Sequence, residues 1–83
     1  METKPIKRVL LTGAAGQIGT ELLPALRERY GADCVVATDV REKPNHAAFE
    51  GSPYEILDVT DRAALERILD KYRCDAVFHL AAL

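Results

Sequence analysis

The sequence predicts an α/β fold in which helices cover a parallel sheet. Three observations predict it: short apolar stretches without alternation, stretches of helical periodicity between them, and glycines between the first apolar stretch and the first helical one. Val-Leu-Leu at residues 9–11 has no polar face, as expected of a strand covered on both sides. Because crossovers between parallel strands are right-handed, the expected strand order is 3-2-1-4.

The first predicted strand is Lys7–Thr12, and the first predicted helix is Gln17–Tyr30. The apolar stripe of this helix is expected to be buried and consists of Ile18, Leu22, Leu23 and Leu26. Gly31 is predicted to end the helix in a left-handed conformation. Pro24 is expected to bend the helix without ending it, because the apolar stripe continues past it.

Three further apolar stretches are predicted to be strands: Cys34–Thr38, Tyr54–Leu57 and Ala76–Leu80. The segment 41–53 contains two prolines and a glycine, so we expect a loop with a short turn at 47–49 instead of a full helix. A second helix follows, capped by Thr60 or Asp61. Its predicted buried residues recur at helical spacing and are Leu65, Ile68, Leu69 and Tyr72.

Composition limits the classes of function. A net charge of −2 with both signs scattered along the chain argues against nucleic-acid binding. Cys34 and Cys74 have no further ligand at metal-binding spacing, so we expect free thiols in a reducing compartment and no metal site. No apolar run approaches the ~18 residues of a membrane span, and we therefore expect a cytoplasmic protein.

The glycines at 13, 16 and 19 predict a phosphate-binding turn between the first strand and the first helix. Gly13 supplies the turn, Gly16 lets the main chain approach an anion, and Gly19 lets the helix lie close to the strand. The N–H groups of Gln17 and Ile18, at the positive end of the helix dipole, would then face the ligand.

Asp39 lies 20 residues after Gly19, at the end of the second predicted strand. In dinucleotide-binding units this position carries the acid that binds the adenosine ribose hydroxyls and repels a 2′-phosphate. We therefore expect NAD as the cofactor in preference to NADP, although Arg41 would soften the repulsion. The alternative is a solvated aspartate that merely ends a strand.

Other candidate residues lie at the ends of the later strands. Asp58 either accepts a hydrogen bond from the adenine amino group or caps the helix that follows. His79, alone in an apolar strand, is interpreted as a satisfied core residue and not as a catalyst. Ala81 and Ala82 are expected to leave room where the fourth strand passes the cofactor.

With these residues placed, the chain resembles the N-terminal part of extended short-chain dehydrogenases/reductases, the NAD-dependent epimerase/dehydratase family. The family's G-x-x-G-x-x-G motif matches residues 13–19, its adenine-site motif matches Asp58-Val59, and its fourth-strand motif matches residues 79–82. The resemblance implies a Rossmann-like NAD(P)-binding sheet. It also adds Val59 and Leu80 to the expected cofactor contacts.

Within the family, residues 16–22, 38–42, 57–61 and 81–83 look like the L-threonine 3-dehydrogenase branch. That resemblance implies oxidation of L-threonine to 2-amino-3-ketobutyrate with NAD, in a homo-oligomer. Two alternatives stay open: a sugar-nucleotide epimerase or dehydratase, and a non-catalytic dinucleotide-sensing module.

The family's catalytic Tyr-x-x-x-Lys pair has no match in these residues. The residues four positions after the three tyrosines are Cys34, Asp58 and Ala76. We therefore interpret residues 1–83 as the N-terminal portion of one dinucleotide-binding domain, without catalytic residues and inactive as this chain alone.

Overall fold

The computed structural model describes residues 5–81. The strands and helices, in chain order, are β1 Val9–Thr12, α1 Gln17–Tyr30, β2 Val35–Asp39, β3 Tyr54–Ile56, α2 Arg62–Tyr72 and β4 Ala76–His79. All neighbouring strands are parallel, and their order is β3-β2-β1-β4. The predicted fold class and strand order are therefore confirmed.

The two central strands are the most deeply buried part of the chain. Every residue of β1 and β2 is buried, because each strand has a strand on either side and helices or loops above and below. Val9 lies opposite Val35 in β2 and Ala76 in β4. This arrangement fixes the carboxyl ends of β1, β2 and β4 side by side, and each of those ends carries a candidate site residue.

Helix α1 has the predicted bounds and runs through Pro24 without interruption. Leu23 and Leu26 are buried and Leu22 is partly buried, but Ile18 is 68% exposed, so its predicted place in the core is wrong. In the first turn of the helix it is Gly19 that faces the preceding chain, and Ile18 points away. Gly31 ends the helix at φ 95° and ψ 144°, which has the predicted positive φ but lies outside the left-handed helical region.

The connection from β2 to β3 contains the predicted short turn, a 3₁₀ helix at Ala47–Phe49. Arg27 of α1 stabilises this turn by donating hydrogen bonds to the carbonyl oxygens of Ala48, at 2.6 Å, and Glu50. Phe49 is 1% exposed and packs in the core on the α1 side of the sheet. One turn and one arginine therefore replace a crossover helix here.

Helix α2 begins after Asp61, whose carboxylate accepts a hydrogen bond from the Ala64 N–H at 3.1 Å. Of the two predicted caps, Asp61 is the one that caps the helix. Ile68 is buried as predicted, but Leu65, Leu69 and Tyr72 are only partly buried. The reason is that, within residues 5–81, α2 is the only helix on its side of the sheet, so no neighbouring helix covers its flanks.

Several strand ends differ from the prediction. Lys7 and Arg8 precede β1, because their N–H groups bind the Asp75 carboxylate at 3.0–3.1 Å instead of a strand neighbour. Cys34 belongs to a 3₁₀ turn before β2. Leu57 and Leu80 follow β3 and β4, although their N–H groups still bind the carbonyl oxygens of the adjacent strands. Within residues 5–81 no helix is long and apolar enough to cross a membrane.

Candidate functional site

A cavity of about 300 Å³ lies at the carboxyl ends of the parallel strands. Ligands of open parallel α/β sheets bind at this edge, where the strand order reverses between β1 and β4. The lining residues come from the glycine turn and from the segments after β2, β3 and β4: Gly13, Gly16, Asp39, Val40, Arg41, Leu57, Asp58, Val59, Leu80 and Ala81.

Two of the three glycines are required by close backbone contacts. Gly13 has φ +68°, and a Cβ there would lie 2.8 Å from the Ala81 nitrogen. A Cβ on Gly19 would lie 2.4 Å from the Gly13 carbonyl oxygen. Both distances are far below van der Waals contact, so Gly13 lets the chain after β4 approach the turn and Gly19 lets α1 approach it.

The third glycine, Gly16, leaves the turn open toward the cavity that it lines. It is the N-cap of α1 and provides no side-chain cap, so the first N–H groups of the helix lack an intrahelical acceptor. A Cβ on Gly16 would meet the Gly13 oxygen at 3.3 Å and, next, only the Arg41 guanidinium at 3.9 Å. The residues present therefore fit a dinucleotide phosphate: unpaired amides, the helix dipole and an uncovered glycine converge on one cavity.

Asp39 is 4% exposed and joins the glycine turn to the segment after β2. One carboxylate oxygen accepts from the Ala15 N–H at 3.0 Å and from Arg41 Nη2 at 3.2 Å. The other accepts from Arg41 Nε at 3.0 Å and from the Arg41 N–H at 3.1 Å. Four donors thus occupy a group that has about four acceptor positions.

Asp39 is held ionised by this environment. Burial alone would raise the pKa of Asp39, but the side-chain and backbone hydrogen bonds from Arg41, the Ala15 N–H and the Arg41 charge outweigh it and lower the pKa. Asp39 raises the pKa of Arg41 in return. The site therefore presents a carboxylate beside a fixed positive charge, with the Arg41 side chain still 61% exposed.

Asp58 is exposed at the far side of the cavity. Its carboxylate accepts from the Thr60 N–H at 2.9 Å and from the Thr60 hydroxyl at 2.6 Å. These hydrogen bonds lower the pKa of Asp58 and shape the turn before α2, while Asp61 caps the helix itself. Because Asp58 also lines the cavity, its turn-forming role does not remove it as a ligand contact.

The end of β4 is attached to the end of β1 through Thr12, which is 1% exposed. The Thr12 hydroxyl lies 2.8 Å from His79 Nδ1 and accepts from the N–H groups of Leu80 at 3.0 Å and Ala81 at 3.3 Å. His79 is exposed, so its interpretation as a core residue is wrong, although its Nδ1 is hydrogen-bonded.

Most of the predicted site residues therefore lie together. Eight of them line the cavity, namely Gly13, Gly16, Asp39, Arg41, Asp58, Val59, Leu80 and Ala81. Gln17, Ile18 and Gly19 are not among its lining residues: Gln17 and Ile18 are the first residues of α1, directly after Gly16, and Gly19 packs against the Gly13 carbonyl oxygen. Ala82 lies outside the described residues.

Two lining residues, Val40 and Leu57, were missed by sequence reasoning. Each is adjacent to a predicted acidic ligand, and that adjacency was the available signal. The sequence predicts Thr12 only as the last residue of a strand, because nothing in one sequence shows that its hydroxyl contacts His79, 67 positions later. Among residues 5–81 there is no cluster of metal-ligating side chains, and both cysteines are free.

The fold and this site define a dinucleotide-binding α/β protein. Residues 9–83 match the model of the NAD dependent epimerase/dehydratase family. The chain belongs to this family, and NAD is its cofactor.

Three relatives illustrate what the chain is similar to. An uncharacterized epimerase/dehydratase of Staphylococcus saprophyticus is 46% identical over 94% of this chain and 24% of its own length. The structure of L-threonine dehydrogenase from Clostridium difficile has 44% identity and a TM-score of 0.87, over 96% of this chain and 25% of that one. UDP-glucose 4-epimerase from Brucella ovis, solved in complex with NAD, has 30% identity and a TM-score of 0.76, over 93% and 23%.

The chain thus spans about a quarter of the length of the curated relatives that it matches. Its similarity to them concerns the sheet, the glycine turn and the segments after β2, β3 and β4.

Proposed function

We propose that residues 1–83 are the N-terminal portion of an NAD-binding domain whose parent protein is L-threonine 3-dehydrogenase. The observation that carries the cofactor half of this proposal is the convergence of the glycine turn and a buried, ionised Asp39 on one cavity. The substrate half is supported by the greater likeness to L-threonine dehydrogenase, at 44% identity, than to UDP-glucose 4-epimerase, at 30%.

The diphosphate of NAD would lie on the amides at the start of α1. Gly16 presents no side chain there, and the N–H groups of Gln17 and Ile18 lie at the positive end of the helix dipole. Each contact is to the main chain, so the turn recognises the charge and shape of a diphosphate. The bases and sugars on either side of it are recognised by other residues.

The adenosine ribose would bind at Asp39. All four acceptor positions of the carboxylate are occupied, and two of the four donors belong to the Arg41 guanidinium. A ribose diol therefore binds only when that guanidinium moves aside, whereas the Ala15 and Arg41 N–H groups can stay. The exposure of Arg41 leaves it free to swing toward solvent.

The adenine would occupy the side of the cavity lined by Val40, Leu57 and Val59, with Asp58 near its amino group. The nicotinamide would lie toward Leu80 and Ala81. When bound, NAD supplies a hydride acceptor; the general base and the substrate contacts would come from the rest of the domain, since this chain has no Tyr-x-x-x-Lys pair.

Titration of the full-length protein with NAD and NADP tests the cofactor half. We expect saturable NAD binding, tighter than NADP binding, and a loss of that preference in Asp39→Asn because the neutral amide no longer repels a 2′-phosphate. Equal affinity of the unaltered protein for the two dinucleotides would exclude the role given to Asp39. Val40→Ala is a matched control, since it changes the same cavity without altering charge.

A substrate panel tests the other half. We expect L-threonine to be oxidised with reduction of NAD by the full-length protein, and residues 1–83 alone to turn over no substrate. The family and the NAD-bound UDP-glucose 4-epimerase favour a second candidate, a sugar-nucleotide epimerase or dehydratase. Turnover of a nucleotide sugar, without threonine oxidation, would establish that candidate instead.

A further inference from the structure

The hydroxyl of Thr12 is the one side-chain group that ties the loop after β4 to β1 among the described residues. Its oxygen accepts from two backbone N–H groups, those of Leu80 and Ala81, and both residues line the cofactor cavity. Their position matters because the Ala81 nitrogen lies only 2.8 Å from where a Cβ of Gly13 would stand.

The hydrogen-bond donors and acceptors around Thr12 indicate which nitrogen of the His79 ring carries the proton. A hydroxyl has two acceptor lone pairs and one proton to donate. The Ala81 N–H and the Leu80 N–H, which the Thr12 carbonyl oxygen shares at 3.3 Å, approach these lone pairs, so the Thr12 proton is the one left for the 2.8 Å contact with His79 Nδ1. This count favours Nδ1 as the acceptor, with the proton of the neutral ring on Nε2.

We propose that His79 is a positioning residue for the cofactor site. Its unprotonated Nδ1 orients the Thr12 hydroxyl, and the hydroxyl oxygen in turn holds Leu80 and Ala81 against the glycine turn. The parallel register of β1 and β4 pairs Thr12 with His79 and makes this contact possible. The consequence for cofactor binding rests on the proposed NAD function, whereas the ring assignment does not.

Nitrogen-15 NMR of the histidine rings in the full-length protein tests the assignment directly. In the neutral ring we expect His79 as the Nε2–H tautomer, with a perturbed Nδ1 resonance that returns toward its free value in Thr12→Val. His46 is an internal control, because its Nδ1 accepts from the Ala48 N–H at 3.0 Å and is independent of Thr12. An Nδ1–H tautomer at His79 would overturn the proposal.

Affinity for NAD tests the consequence. His79→Leu removes the acceptor, and we expect NAD binding to weaken about three- to tenfold, the equivalent of one hydrogen bond. His79→Asn retains an acceptor oxygen near the Nδ1 position and should restore affinity. His46→Leu changes a residue that does not line the cavity, and it should leave the affinity unchanged.

Two results would contradict the consequence: wild-type affinity in His79→Leu, or equal loss in the Asn and Leu variants. Thermal unfolding of each variant shows whether it still folds. If the His79 variants do not fold, the NAD affinities of Thr12→Ser, which keeps the hydroxyl, and Thr12→Val, which lacks it, are compared instead. If the unaltered protein fails to bind NAD, the proposed function fails, and the NMR result still decides the ring assignment.

Discussion

The two faces of the sheet are built to different degrees. On the α1 face, nine buried residues form one cluster in which helix α1 and the turn at 47–49 cover the sheet. On the α2 face the buried cluster has five residues, and most of the apolar residues of α2 are only partly covered. The edge strands are also less buried than the central ones, since no residue of β3 or β4 is fully buried. The glycine turn lies on the better-packed face, since Ala14 belongs to the larger cluster.

Shortening one leucine on each face should give the largest effect. Leu23 on α1 is fully buried, so Leu23→Ala should lower the free energy of unfolding by ~2–5 kcal/mol. Leu69 on α2 is partly exposed, so Leu69→Ala should lower it by less than half as much. Urea unfolding of both variants measures the two values. Equal losses would show that the faces are packed alike.

Adding one methyl group at Gly19 should have the next largest effect on stability. A Cβ there meets the Gly13 carbonyl oxygen at 2.4 Å, and backbone cannot rotate away, so we expect Gly19→Ala to destabilise the fold by ~1–3 kcal/mol. Gly16→Ala is the matched control, with its nearest contact at 3.3 Å. Thermal unfolding distinguishes the two. A more stable Gly19→Ala protein would mean that α1 is not held tightly against the turn.

Acid should affect the α1 face more than the α2 face. The pKa of folded Asp39 lies below its ordinary value of 3.8, so the unfolded chain binds the proton more readily. The stability from this group is thus present above about pH 3.8 and is lost as the pH falls through the lower, folded pKa.

Unfolding measured against pH should therefore show a shallower acid loss in Asp39→Asn. Glu55 is the comparison on the other face: hydrogen bonds from Lys71 and Tyr72 lower its pKa, but its side chain is 26% exposed. We expect a smaller change in slope for Glu55→Gln. A larger one would reverse the ranking of the faces.

The smallest effect is expected at the surface pair Arg62–Glu66 on α2. Its atoms are 3.1 Å apart, but the two side chains are 89% and 65% exposed, so Arg62→Ala should change stability by no more than ~0.5 kcal/mol. Urea unfolding at low and high salt checks this value. A larger, salt-sensitive loss would indicate that α2 depends on charge more than on packing.

The sequence was most informative where backbone geometry depends on local residues. Unalternated apolar runs and glycine spacing predicted the parallel sheet and the bounds of α1. The glycines, the ends of the strands and the family resemblance together predicted eight cavity residues. The sequence was less informative where burial or a contact depends on residues far away in the chain. Ile18 has the right spacing for the core, but it is Gly19 that packs against Gly13 and Ala14 of the turn, and Ile18 is exposed.

The same reason explains the other differences. The partial burial of Leu65 and Leu69 follows from how many elements share a face, and periodicity within one helix does not carry that information. The Thr12–His79 contact depends on the register of two strands far apart in sequence. The four donors around Asp39 likewise include a backbone amide of the glycine turn, which only the folded chain brings near.

The arginine at position 27 has a consequence for how this chain can vary. It fixes the link between β2 and β3 through two carbonyl oxygens, which every amino acid provides. The exposed residues of this link can therefore differ in type so long as two carbonyls still reach that guanidinium, whereas Phe49 must stay apolar because it packs in the core.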